Sequence, residues 1–244
     1  MLVFIFTSCS TPETIAPAPT NTAAQAQPPA PKGTFPPQPP SGKVQPGSTA
    51  TQSPLSLSND ALPKDAIRIV IVPEKSEARY RVREQLAGVN FPSDAIGATR
   101  VITGTIIGRP DGTIISAASK FRVDLRTLKS DRDQRDNFLR MDTLQTNRYP
   151  FAEFVPMEAP GLPLAVPADG KADYKLIGDL TIRDVTKRVT WDVSAKTQGN
   201  EATGQAKTSF NFATFNMQIP RVFTVLSIDD KITLELDFVL QRVQ

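Results

Sequence analysis

From Lys231 to Gln241, every second residue is apolar: Ile232, Leu234, Leu236, Phe238 and Leu240 share one face. Thr233, Glu235, Asp237 and Gln241 share the other, with Val239. This period-two pattern fits only a strand with one dry and one wet side. It recurs from Arg188 to Lys196, where Val189, Trp191, Val193 and Ala195 alternate with Thr190, Asp192, Ser194 and Lys196. It recurs again from Tyr174 to Arg183 through Tyr174, Leu176, Gly178, Leu180 and Ile182. One-sided strands of this kind belong to antiparallel sheets.

Further strands are expected over 67–72, 76–82, 99–109, 113–124, 152–157 and 202–214. Arg109-Pro110-Asp111-Gly112 carries the strongest turn chemistry, and Asp169-Gly170, Gly199-Asn200 and Asp229-Asp230 are weaker punctuation. Asp184 and Val185, with Thr186, are expected to connect the Trp191 strand to the one before it. Eight or nine strands in hairpin order must hide their edges. A sandwich and a closed up-and-down barrel both do so. One helix is expected, from Ser130 to Arg140, with Ser130 as its cap and Asp131 and Asp133 at the positive end of its dipole.

The strands occupy only part of the chain. Residues 10–63 hold 13 of the 22 prolines and four charged residues, Glu13, Lys32, Lys43 and Asp60. Such a segment buries too little apolar area to offset its ordering entropy. It reads as a disordered linker, spanning roughly 40 Å as a coil and about 170 Å as extended polyproline. Residues 64–244 form one domain of ordinary size. The linker charges cancel, so the net charge of +3 belongs to the domain, where the signs are interspersed. A nucleic-acid protein would concentrate its basic residues, so no nucleic-acid partner is expected.

Residues 1–9 end in the only cysteine, Cys9, after the apolar run Leu2–Phe6 and the small residues Thr7 and Ser8. This resembles the end of a bacterial lipoprotein signal, in which the cysteine carries the lipid. It lacks a positive start and is short. The expectation is an extracytoplasmic protein held to a membrane by lipid on Cys9.

The composition also removes chemistry. There is no histidine, and no cysteine lies beyond Cys9. The commonest general base and any zinc–thiolate site are therefore missing. Asp131, Asp133 and Asp136 are close in sequence but fit no calcium loop, and Arg132 and Arg135 interleave with them. No metal and no enzyme activity are expected. A hydrolase using Asp124 and Asp136 is the remote alternative.

Several segments together resemble the YceI family. Val123-Asp124-Leu125-Arg126-Thr127-Leu128, followed by Arg135-Asp136-Asn137-Phe138-Leu139, is similar to its strand and helix. Tyr149-Pro150-Phe151-Ala152-Glu153-Phe154 is similar to its next strand. Gly178-Asp179-Leu180-Thr181-Ile182, with Val185-Thr186-Lys187-Arg188-Val189, and then Phe212 and Phe215-Asn216-Met217 complete the set. Where the family often has His and Gly, this chain has Arg183 and Asp184.

The resemblance implies an all-β, antiparallel, lipocalin-like up-and-down barrel of about eight strands with one short helix. It implies a bound apolar lipid, polyisoprenoid or quinone-like, and no other cofactor. The expected lipid contacts are Phe121, Phe154, Trp191, Phe210, Phe212, Phe215, Leu236 and Phe238. Arg126 or Tyr149 is the expected neighbour of a polar head group, and Arg135 and Asp136 are expected to be structural. The rival reading is a surface-displayed interaction module whose barrel is filled by its own side chains. Oligomeric state is left open.

Overall fold

The computed structural model describes residues 62–162 and 169–243. Cys9 and the linker up to residue 61 lie outside the described residues. Ten strands follow in order: β1 (Ile67–Ile71), β2 (Glu77–Leu86), β3 (Ser93–Thr99), β4 (Ile102–Gly108), β5 (Lys120–Asp124), β6 (Phe151–Glu158), β7 (Asp169–Ile182), β8 (Val185–Gln198), β9 (Glu201–Phe210) and β10 (Val225–Val243). One helix, α1 (Asp133–Phe138), lies between β5 and β6 and runs into a π turn over Leu139–Thr143.

Every pairing is antiparallel, and the sheet closes on itself. Strands β4 to β10 pair in sequence order, β2 and β3 follow on β10, and β1 joins β4 to β10. β10 is long enough to pair with both β1 and β2 along one edge: Leu240 faces Ile71, and Asp237 faces Glu77. β3 then pairs with β2 as β4 pairs with β1. The ten segments thus trace eight staves, two of them broken, in an up-and-down barrel.

The first break is held by Ser76. Its hydroxyl donates to the Val72 carbonyl at 2.8 Å and accepts from the Val239 amide at 3.0 Å. It bridges the one-turn 3-10 segment Pro73–Lys75 without losing the pairing to β10. The second break is held by Thr99, whose hydroxyl is 2.6 Å from that of Thr127 and accepts from the Val101 amide at 3.0 Å.

The barrel and its up-and-down topology agree with expectation; several local details differ. The hairpin β7–β8 turns on Arg183-Asp184, with Arg183 at positive φ and Val185 already paired to Ile182. Asp169-Gly170 is not a turn but the start of β7. Asp229-Asp230 lies in an irregularity of β10. Gly199-Asn200 is the expected two-residue turn, with Gly199 at φ 58°. Arg109–Gly112 forms its turn, closed by Gly112 N–H to Arg109 O at 3.0 Å. Beyond it the chain pairs only once, at Gly108 and Ile114, and β5 begins only at Lys120. β9 stops at Phe210, so Phe212 lies in a 3-10 turn and shares no strand face with Phe210.

The helix starts three residues later than expected, and Ser130 does not cap it. Instead, the Ser130 hydroxyl and amide both donate to the buried Asp136 carboxylate, at 2.7 and 2.9 Å. A carboxylate inside the helix thereby fixes the loop that precedes it.

The outer wall is polar but not everywhere wet. Glu235, expected on the solvated face, is buried beneath Arg79, Arg81 and Lys207, which approach to 3.5, 3.4 and 3.7 Å. Long basic side chains cover their own counter-charge.

A two-chambered apolar lumen

The inward faces do not fill the barrel. Two cavities, of about 230 and 110 Å³, lie along the strands. Both touch Ala152 and Leu234, so they are stacked chambers sharing a wall. Along β10 the larger takes Val225, Ile228 and Ile232, and the smaller takes Leu236, Phe238 and Leu240. The alternation seen in sequence therefore supplies one continuous lining.

The smaller chamber, the deep one as seen from α1, is aromatic. Phe121, Phe154, Trp191, Leu236 and Phe238 all line it, with Tyr174. Phe154 and Trp191 meet edge to face at 5.8 Å. Three rings lie across strand glycines. A Cβ on Gly104 would stand 2.1 Å from the Phe121 ring, one on Gly204 2.7 Å from Phe238, and one on Gly178 2.6 Å from Phe154. Missing side chains on one stave let rings of the next lie flat, which covers the backbone and keeps the axis open.

The larger chamber is aliphatic below and polar at its rim. Tyr80, Val82, Glu84 and Leu86 of β2 line it together with Phe210, Phe212 and Met217. The Tyr80 ring lies flat across Gly97 in the same way, where a Cβ would stand 2.2 Å from it. α1 and its flanks close one side through Arg132, Gln134, Arg135 and Phe138. Arg135 bridges the buried Glu84 and the exposed Asp131. Asp136 is bound by Ser130 as described, so the helix is pinned to the barrel by a carboxylate and clasped to β2 by an ion pair.

Two donors on the chamber walls have no acceptor among the described residues: the Tyr80 hydroxyl and the Trp191 indole N–H. Burial pushes the Tyr80 phenol up to about 12 against the opposing pull of Arg135, and burial alone pushes Tyr174 up to about 12.

Of the eight aromatic and aliphatic residues expected at a lipid, seven line one chamber or the other. Phe215 lines neither. It has no exposed surface and packs edge to face on Phe210 at 4.6 Å, as core behind the wall. Arg126 and Tyr149 line neither chamber. Arg126 is spent on Asp124, at 2.6 Å, and stacks on Phe151. The Tyr149 hydroxyl donates outward to Asp184 at 3.3 Å. Asp124 and Asp136 likewise face structural partners and no cavity.

Sequence reasoning missed Tyr80, Glu84 and Leu86. Their signal was the same alternation, interrupted to the eye by a charge at the fourth inward position of β2, after Ala78, Tyr80 and Val82. Among the described residues no group of carboxylates could hold a metal ion. Asp131 turns to Arg135 and Asp133 to Lys129.

The family model of the YceI-like domain matches residues 70–240, from within β1 to near the end of β10, and so nearly the whole barrel. The chain belongs to the YceI-like family. Its YceI-like barrel superposes on a polyisoprenoid-binding domain from Saccharophagus degradans implicated in plant cell wall breakdown. That match has a TM-score of 0.57 at 10% identity and covers 72% of this chain and 98% of that one. BcnA of Burkholderia cenocepacia matches with a TM-score of 0.51 at 18% identity, over 69% of this chain and 98% of the other. At these identities the likeness is one of fold. A UPF0312 protein of Pseudomonas putida strain W619 is 35% identical over 100 residues, 40% of this chain. The chain spans about half, 48%, of the length of that relative.

Proposed function

We propose that the YceI-like barrel binds a long apolar lipid of polyisoprenoid or quinone-like type and holds it for storage or transport in the cell envelope. The observation that carries this reading is the pair of stacked chambers, apolar along their length and polar only at one rim. Burial of a prenyl chain there gains roughly 25 cal/mol per Å² of apolar surface, with no charged anchor required. The similarity in fold to a polyisoprenoid-binding domain supports the same ligand class. The unpartnered donors of Tyr80 and Trp191 fit a ligand that carries a hydrogen-bond acceptor, as a quinone does. The direct contacts are Phe121, Phe154, Trp191, Phe210, Phe212, Leu236 and Phe238.

Binding, not turnover, is the proposed activity. Lipid on Cys9 would hold the barrel to a membrane outside the cytoplasm, and the linker would give it reach. The unfilled lumen weighs against an interaction module packed solid by its own side chains.

Trp191 is the only tryptophan in the chain and lies in the deep chamber wall. Titrating the purified full chain with a prenylquinone is expected to quench its fluorescence saturably at one ligand per chain. Mass spectrometry of an organic extract is expected to find a stoichiometric prenyl lipid. A clean extract together with unchanged Trp191 emission refutes the proposal.

A further inference from the structure

We infer that the open end of the larger chamber is a membrane-docking tip, and that its occupant is the surface of a lipid bilayer. This rests on the proposed lipid ligand for its purpose but on separate residues for its evidence.

Two chain-distant loops meet at this end. The β2–β3 loop exposes Val89 and Phe91, the latter with 78% of its surface in water. The segment leading into β10 exposes Ile219 and Phe223, the latter fully, and the start of β10 itself exposes Leu226. The loops are tied by the Ala87 amide donating to the Thr224 carbonyl at 3.0 Å and by the pairing of Leu86 with Val225. Five large apolar side chains thus crowd one tip, a concentration that marks an interaction surface.

The same loops continue directly into the lumen wall. Leu86, Val222, Thr224 and Val225 line the larger chamber while their neighbours Phe223 and Leu226 face out. An apolar molecule leaving the chamber past these residues meets the exposed tip before it meets water.

Charge selects the partner. Residues 87–93 carry no charge, and residues 216–227 carry one, Arg221. The chain as a whole is 22% charged. The two apolar loops, with Arg221 as their one cation and the exposed Arg132 on the α1 side of the same chamber, fit the interface of a bilayer, with the rings among acyl chains and the guanidinium groups at the phosphates. A protein partner would be expected to meet charges of both signs on the loops themselves.

The test uses the full chain carrying Cys9→Ser, so that no acyl anchor contributes, with and without Phe91→Ser and Phe223→Ser. Co-sedimentation with phosphatidylcholine vesicles, and with vesicles containing phosphatidylglycerol, is the readout. The parent is expected to bind both, to bind the anionic vesicles somewhat better through Arg221, and to resist added salt. The double variant is expected to partition at least about tenfold less while keeping the parent's circular dichroism. Equal sedimentation of parent and variant, or none by the parent, overturns the inference. Concentration-dependent dimers of the parent that the variant loses, without vesicle binding, would assign the tip to a second copy and overturn it too.

Prenylquinone delivered from detergent and read on Trp191 is expected to enter parent and variant equally, because neither phenylalanine lines a chamber. Loss of that uptake in both, with vesicle binding intact, would refute the carrier reading alone.

Discussion

The two chambers are built by different means. The deep chamber is walled by paired strands, with rings from β5, β6 and β10 laid over Gly104, Gly178 and Gly204 of β4, β7 and β9. The larger one is lined at one end by α1, by the turn after β9 and by the segment before β10, held by an ion pair and a few hydrogen bonds. Strand pairing between distant parts of the chain opens only with the whole fold, whereas a six-residue helix and loops open locally. The deep chamber is therefore the stiffer of the two, and the larger one the readier to open.

Substitutions sharpen this contrast. Phe154→Ala removes a ring from the deep wall and its contact with Trp191. It is expected to cost about 3–5 kcal/mol in chemical denaturation. A much smaller loss would show the deep wall to be as yielding as the rim.

Arg135→Met leaves the buried Glu84 carboxylate without its partner on the rim. We expect a loss of about 3 kcal/mol, largely recovered by adding Glu84→Leu. Persistent instability of the double variant would mean that the clasp holds the fold and not only the access side.

The glycines offer a matched pair. A Cβ on Gly204 would stand 2.2 Å from the Ser194 carbonyl oxygen, which is backbone. A Cβ on Gly97 would have the Tyr80 side chain as its nearest neighbour, and that side chain has the larger chamber to move into. Gly204→Ala is expected to cost about 3 kcal/mol and Gly97→Ala about 1 kcal/mol, with the latter shrinking the larger chamber. Equal costs would break the contrast.

The smallest effects are in pH. Tyr80 and Tyr174, one in each chamber, bind their protons more tightly when folded. Their contribution to stability is complete below the unfolded value near 10 and is lost as pH rises towards about 12. Spectroscopic titration should show two of the three tyrosines ionising only near that upper limit. On the acid side, Arg126 holds Asp124 below the usual carboxylate range by hydrogen bonds that outweigh burial. Burial pushes Glu235 up, but Arg81, Lys207 and Arg79 together pull it below its ordinary value. Both contributions are complete above the unfolded values of 3.8 and 4.5 and fade as pH falls through the folded ones. Arg126→Gln should remove the Asp124 share of that acid loss and leave the alkaline transition unchanged.

Much of the barrel was legible because alternation is local. Val189, Trp191 and Val193 point inward whatever their partners are, and Gly199-Asn200 turns the chain wherever it stands. The motif pieces around Asp136 and Phe154 gave the order of elements. Less of the site was legible. Glu84 broke the inward pattern of β2 because its countercharge, Arg135, lies 51 residues away. Phe212 read as part of the strand 202–214 and Phe215 as a lipid contact, but the chain turns after Phe210 and sends Phe215 behind the wall.

By itself, then, the sequence determined which residues alternate, and hence an antiparallel all-β domain with a dry inner face. Closure, the two broken staves, the burial of Glu235 beneath its basic neighbours and the size of the chambers were decided only in the tertiary structure. A side chain's facing follows from the pleat of its own strand. The space it faces follows from stagger, from ring-on-glycine contacts and from charge pairs between residues far apart in the chain.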